Sequence, residues 1–363
     1  MQKDTIEYSS SYAPSIVLGL MSGTSTDGLD IAAVRFNQQN QQIVYNLLDT
    51  QFVPYTSVLE KKLMEAPLLS GRELRRLDIE FGRFLADEVL KFIDKKTWKA
   101  SLIGSHGHTV FHVPKDGYTM QIGCGATLAS LTGTPVVCDF RQGDVALDGQ
   151  GAPLVPIGDQ MLFASYDYCV NLGGFANISC NREGHRVAWD ICALNVVLNA
   201  LASEAGLKYD EGGQMAANGK KISDLLKQLD TLEYYSQPAP KSLGTEWVEY
   251  NIKPVLNRYS HEPLVDRIHT FTLHVAQKIG GELKGKSSKA YFSGGGCNNN
   301  YLLSLIKKYS EAEVIAAEPS LSDFKEALIF ALLAYLRWYG RLSTIPTVTG
   351  ASRAIPAGAV YLP

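Results

Sequence analysis

A chain of 363 residues, 45% hydrophobic and 20% charged, reads as an ordinary soluble globular protein whose length exceeds one typical core, so two domains are expected. A net charge of −3 argues against nucleic-acid and anionic-membrane partners, which would require a basic face. The N-terminal MQKDTIEYSSSYAPS lacks the apolar core of a signal peptide, and the longest apolar run, Ala327 to Leu336, is far short of the roughly 20 residues of a membrane span. Six cysteines without a C-x-x-C pair read as free thiols of a reducing, cytoplasmic compartment.

In chain order, three strands are expected first, over Ser15–Met21, Leu29–Phe36 and Gln42–Phe52. The bend between the first two reads GLMSGTSTDGLD, from Gly19 to Asp30. Its glycines and hydroxyls expose N–H and O–H donors without a bulky side chain in the way, which suits a phosphate. The same residues can also make an ordinary long turn. Leu74, Leu77, Phe81, Phe84, Leu85, Val89, Phe92 and Ile93 recur every three or four residues and predict a helix over Gly71–Lys96. Short strands follow at Ala100–Gly104 and Pro135–Cys138, with a helix around Ala126–Thr132 between them. This alternation argues for an α/β architecture.

Near residue 165 the pattern restarts. Strands are expected at Tyr168–Leu172, Ala176–Cys180 and His185–Trp189, then helices at about Ala193–Ala205, Ile222–Leu229 and Pro263–Gly281. A strand at Ala290–Ser293 and helices at Asn300–Tyr309 and Asp323–Tyr339 complete the second half. Each half opens with a glycine-bearing hairpin, so the repeat is one of topology. Gly173-Gly174 forms the second glycine turn, between two strands. Ser293-Gly294-Gly295-Gly296-Cys297-Asn298 is a third, between strand and helix, where backbone can approach a phosphate or a flat group. Gly280 to Ser287 fits the Walker A expression, but a helix precedes it and a strand follows, the reverse of the required order.

His106, His108 and His112 lie in SHGHTVFH; sugar-hydroxyl contacts and structural roles both suit them better than zinc. Two of the three are expected to alternate on a strand and face one side. Asp190 follows a short strand, where local sequence favours a helix N-cap and a general base is the functional alternative. In CDFRQGD, Arg141 can offer a fixed fork to an anionic or hydroxyl-rich substrate, or join Asp139 and Asp144 in a surface salt-bridge cluster.

Together these segments resemble the anhydro-N-acetylmuramic acid kinases, of the sugar kinase, Hsp70 and actin superfamily. The resemblance runs from Leu18 to about Gly358 and is carried by GLMSGTSTDGLD, SHGHTVFH, DFRQGDVALDGQGAPLVP, NLGGFANIS, QPAPKSLGTE, FSGGGCNNNYL, DFKEALIFALLA and PTVTGAS. It implies a two-domain, actin-like, ribonuclease H-like α/β fold with a central interdomain cleft that closes on ligand. Residues 1–165 would form a phosphate and substrate domain and residues 166–363 a nucleotide domain, with the extreme C-terminus packing back on the first. It further implies ATP and Mg²⁺ as cofactors, ring opening of 1,6-anhydro-N-acetylmuramic acid by water, and phosphorylation of O6 in peptidoglycan recycling. Partners would be the amino sugar alone, without nucleic acid or membrane, in a homodimer.

Carried over by position, Gly23, Thr24, Ser25, Thr26, Asp27, Gly28, Leu29, Asp30, Gly173 and Gly174 would bind the ATP phosphates, and Gly294, Gly295, Gly296 and Asn298 the adenosine side. Asp190 would be the base, and His108, Thr109, Arg141 and Glu326 would bind substrate, while the metal ligands stay unassigned. Three departures stand out: Ile191-Cys192-Ala193 where the family has Thr-Gly-Pro, Leu243 and Thr245 where it has Thr and Arg, and Met21-Ser22 where the superfamily has an Asp. A related sugar kinase with another substrate, or a non-catalytic nucleotide-dependent binding protein, are the competing functions.

Overall fold

In the computed structural model the described residues are 16–23, 26–39 and 42–363. Seven strands precede Phe163: β1 (Ile16–Ser22), β2 (Gly28–Gln39), β3 (Gln42–Pro54), β4 (Leu102–Ser105), β5 (His108–Val113), β6 (Tyr118–Ile122) and β7 (Val136–Cys138). Five follow: β8 (Tyr168–Leu172), β9 (Phe175–Arg182), β10 (His185–Ala193), β11 (Lys289–Ser293) and β12 (Glu313–Ala316). The last, β13, is Ala359–Tyr361. The chain divides into a first unit, up to Leu162 plus Glu326–Pro363, and a second unit, Phe163–Lys325.

The first unit's main sheet has the order β13-β7-β4-β1-β2-β3 and the second unit's sheet β10-β9-β8-β11-β12. Read from β3 and from β10, the orders coincide. In each, a three-strand antiparallel meander is followed by two strands parallel to its first member. Parallel neighbours need a crossover, and helices provide it: Gly71–Ile93 between β1 and β4 on the return from the meander, Gly125–Thr132 between β4 and β7, and Asn300–Tyr309 between β11 and β12. One ribonuclease H-like topology built twice is the two-domain actin-like ATPase fold.

The Gly71–Ile93 helix shows how sequence sets an element. Ser70 caps it and exchanges hydrogen bonds with Glu73 in a capping box. Leu74, Leu77, Phe81, Leu85, Val89 and Phe92 form its buried face. It stops short of Lys96 because Asp94 leaves helical geometry and Lys95 adopts φ +62°. In the second unit, the Leu264–Glu282 helix buries Ile268, Phe271, Val275, Ala276 and Ile279 in the core shared with Val170, Ile178 and Phe292.

The C-terminal helix Pro319–Trp338 lies on β1 and β4 through its first-unit residues. A Cβ on Gly19 would sit 1.8 Å from the Ala327 carbonyl oxygen, and one on Gly104 2.2 Å from that of Phe330. Glycine at both positions lets backbone touch backbone. The expected strands and helices occur within a few residues of their sequence bounds, but the β5–β6 hairpin, β12 and β13 were not anticipated. Among the described residues no helix is long and apolar enough to cross a membrane.

Candidate functional site

The first unit's glycine bend joins β1 to β2. Ser22 pairs with Leu29 across the hairpin, so Gly28, Leu29 and Asp30 belong to β2 and not to the bend. Thr24 and Ser25 lie outside the described residues. Thr26 adopts φ +54°, unusual for a β-branched residue, with its N–H donated to Gly23 O at 3.3 Å. Leu29's side chain is fully buried in the core. Only its main chain could meet a ligand. Asp27 is exposed and Asp30 half-buried.

Tyr55, which sequence reasoning passed over, ties this bend to the histidine segment. Its N–H donates to Asp27 O at 3.0 Å and its hydroxyl to Ser22 Oγ at 2.7 Å. Ser22 Oγ in turn lies 3.2 Å from His108 Nδ1. Burial lowers the pKa of the His108 imidazole, favouring the neutral form. Burial, and then the negative charges of Asp27 and Asp30, push the Tyr55 phenol far up.

His106 and His108 do not alternate along one strand. β4 ends at Ser105, Gly107 turns the chain at φ +72°, and β5 begins at His108. His106 is buried, with Nδ1 2.9 Å from Gly107 O and Nε2 facing Arg141 Nε and Nη2 at 3.1 and 3.0 Å. A neutral Nδ1–H tautomer satisfies all three contacts. Burial, reinforced by the Arg141 charge, pushes its pKa down to about 3.

Arg141 also donates Nη1 to Gly151 O at 2.7 Å, so its fork is held by the protein on two sides. Burial lowers its pKa to about 10, while the carboxylate of Glu326 works the other way. The salt-bridge cluster expected in CDFRQGD does not form around Asp144. That side chain is fully buried, accepting the Gly151 N–H and the Thr349 hydroxyl at 2.8 Å each. Thr109 sits in the β5–β6 hairpin, where Gln121 Nε2 donates to its Oγ1 at 3.3 Å. Next to His106 a cavity of about 270 Å³ opens, lined by Gln121, Cys138, Asp139 and Gln142 among others.

In the second unit, the two remaining glycine turns touch each other. Gly173 and Gly174 join β8 to β9. Gly294, at φ +91°, leaves only 2.5 Å between a would-be Cβ and Asn171 Oδ1, and a Cβ on Gly296 would meet Leu172 at 2.7 Å. These two glycines are required by packing, whereas Gly295 faces open space and Asn298 is exposed. The helix does not start at the glycines: Gly295–Asn298 forms a 3₁₀ turn, and Asn299 caps Asn300–Tyr309 through the Leu302 N–H. Lys325, missed from sequence, is buried beside this loop, with Nζ donating to Ser293 Oγ at 3.3 Å. The Walker-like stretch is indeed preceded by the Leu264–Glu282 helix and followed by β11.

Asp190 is not a helix cap. β10 runs on through it to Ala193, with a bulge between Asp190 and Cys192, and the next helix starts at Asn195. β10 is an edge strand, and the Lys241–Leu243 segment lies along it. Asp190 N–H donates to Lys241 O at 3.0 Å, and Leu243 N–H donates to Asp190 Oδ2 at 2.8 Å. The carboxylate takes no other hydrogen bond from the described residues, which leaves Oδ1 without a donor. Burial raises its pKa and the Leu243 N–H opposes that rise. The Thr-to-Leu departure at 243 costs this contact nothing, because the donor is main chain.

Comparison with known proteins identifies the family. The profile described as "Anhydro-N-acetylmuramic acid kinase" matches residues 15–363. A protein of that name from Gloeobacter violaceus (strain ATCC 29082 / PCC 7421) is 34% identical over 374 residues, covering 96% of this chain and 99% of the relative. Another, from Aliivibrio fischeri (strain ATCC 700601 / ES114), is 34% identical over 367 residues, covering 95% and 98%. The solved structure of the Acidaminococcus fermentans (R)-2-hydroxyglutaryl-CoA dehydratase component A is similar at a TM-score of 0.46 and 14% identity, over 88% of this chain and 97% of that one, too distant to bear on function. With a match over nearly its whole length, and with relatives above 30% identity that it covers end to end, the chain belongs to the anhydro-N-acetylmuramic acid kinase family.

Proposed function

We propose that the chain uses ATP to open 1,6-anhydro-N-acetylmuramic acid and phosphorylate it to N-acetylmuramate 6-phosphate, a step of peptidoglycan recycling, with Asp190 as the base. Asp190 takes a proton from water as the water oxygen bonds C1. The C1–O6 bond breaks, O6 accepts the γ-phosphoryl group, and ADP leaves. Phosphoryl transfer needs positioning and charge neutralisation more than covalent help, so the protein's main chemical task is proton removal.

The observation that carries this reading is the state of the Asp190 carboxylate: one oxygen is held by the Leu243 main chain and the other takes no donor from the described residues. A helix cap would spend its oxygen on the following helix, and this one does not. The remaining roles follow the sequence assignment. The β1–β2 turn (Gly23, Thr24, Ser25, Thr26, Asp27, Gly28, with the main chain of Leu29 and Asp30) and Gly173-Gly174 bind the ATP phosphates. Gly294, Gly295, Gly296 and Asn298 bind the adenosine side, Gly295 being the glycine whose open face no packing explains. His108, Thr109, Arg141 and Glu326 bind the sugar. Mg²⁺ needs only one or two carboxylates beside nucleotide phosphates. Asp27 and Asp30, whose charge reaches Tyr55, are our candidates to supply them, and the ion would neutralise phosphate charge there.

The test is mass spectrometry of product formed from the anhydro sugar, ATP and Mg²⁺ in ¹⁸O water. Phosphorylated product with one ¹⁸O at C1 is expected; absence of product at high enzyme would overturn the substrate assignment. Asp190→Asn should lower turnover by at least about 100-fold while ATP binding by calorimetry is unchanged. An active variant would return Asp190 to a structural role.

A further inference from the structure

A main-chain segment beside an edge strand can use both the N–H and the C=O of a strand residue that faces it. Lys241–Leu243 starts this pattern on β10, with Asp190 N–H on Lys241 O, but does not finish it. The Asp190 carbonyl is already taken by the Tyr234 hydroxyl, at 2.7 Å. The Leu243 N–H goes to the Asp190 carboxylate instead, at 2.8 Å. Tyr234 is itself fixed. Its ring lies 5.3 Å from that of Trp247 and 4.5 Å under Lys241 Nζ, and Lys241 Nζ donates to its carbonyl at 3.0 Å.

We propose that Tyr234 is a positioning residue for the base: by occupying the Asp190 carbonyl, its hydroxyl diverts the Leu243 N–H onto the carboxylate and sets which oxygen faces the water. This rests on the reading of Asp190 as base. Without the hydroxyl, the vacant carbonyl competes for the Leu243 N–H. The carboxylate then loses both its fixed rotamer and the donor that favours its charged form. Cys192 on β10 and Tyr234 feel the Asp190 charge; Lys278 and Glu282 on the Leu264–Glu282 helix interact in turn with Cys192, Tyr234 and Lys241, and Tyr235 with Cys192 and Tyr234. Tyr234→Phe changes none of the others.

The experiment compares pH profiles of kcat/KM for wild type, Tyr234→Phe and Trp247→Phe. Tyr234→Phe should lose about tenfold or more in kcat at an unchanged KM for ATP, and its acid limb should move to higher pH, since an aspartate deprived of a donor protonates more readily. Trp247→Phe loosens the same packing but leaves the hydroxyl, and its acid limb should stay with wild type. Leu243→Pro removes the donor by a second route and should move the limb as Tyr234→Phe does, so a folding failure of one variant leaves the other decisive. If Asp190→Asn turns over, the base assignment fails. If Asp190→Asn is inactive and Tyr234→Phe keeps wild-type kcat and acid limb, or if Trp247→Phe shifts the limb equally, the base assignment stands and the positioning role is overturned.

Discussion

Two charged residues three positions apart in one motif meet different surroundings. Arg141 and Asp144 both sit in CDFRQGD, and nothing in that string says which partners each will find. The tertiary structure does. Arg141 is gripped by His106 and Gly151. Asp144 is sealed from solvent and ties the Gly151 N–H to the Thr349 hydroxyl, 205 residues away. Asp144→Ala would strand both donors in the interior. A loss of about 2–4 kcal/mol in urea unfolding is expected, because buried unsatisfied groups cost the full desolvation penalty. An unchanged midpoint would show that water replaces the carboxylate. At the same scale, Asp190 was legible as a candidate base from its place in the sequence, but its holder was not. Leu243 acts through its N–H, and a main-chain donor leaves no mark on residue type.

Periodicity made most elements readable. The long helices and the inner strands showed themselves because one face of each is apolar, and burial enforces that pattern. The β5–β6 hairpin went unread although a signal existed: Pro114-Lys115-Asp116-Gly117, with Gly117 at φ +80°, separates two short alternating runs. β12 and β13 are short and bury no side chain fully, so no apolar run marks them as it marks the equally short β4 and β7. The Pro319–Trp338 helix was anticipated, but not that it would press on β1 at Gly19 and on β4 at Gly104. Gly19→Ala should therefore disrupt a sheet–helix contact and leave the β1–β2 bend intact. With a Cβ driven into the Ala327 carbonyl, a destabilisation of about 3 kcal/mol is expected in chemical denaturation. Wild-type stability would mean the helix yields by sliding.

Each unit of the molecule repeats one strand order, and the C-terminal 38 residues, Glu326–Pro363, belong to the first unit, where β13 pairs with β7. Buried histidines couple such a fold to pH. Burial and the Arg141 charge hold the His106 pKa at about 3, and burial lowers that of His274 although Asp230 beside it opposes the shift. The unfolded chain binds protons at these imidazoles below about pH 6.5; the folded chain binds them only at lower pH, near 3 at His106. Stability from this source is complete above pH 6.5 and is lost as the pH falls toward 3. The melting temperature should decline through that window, and decline less steeply in His106→Gln. Parallel slopes for the two proteins would remove His106 from the account.

The sequence by itself determined the two-part α/β organisation, the three glycine turns, the family and the candidate base, because turn chemistry, apolar period and motif order are local properties of the chain. Tertiary structure alone decided that Gly294 and Gly296 serve packing while Gly295 stays open, that the Leu29 side chain is sealed in the core, and that Asp190 belongs to a bulged edge strand held from residues 234–243. Those outcomes rest on which distant backbone groups come within hydrogen-bonding or van der Waals reach, and no local pattern encodes that distance.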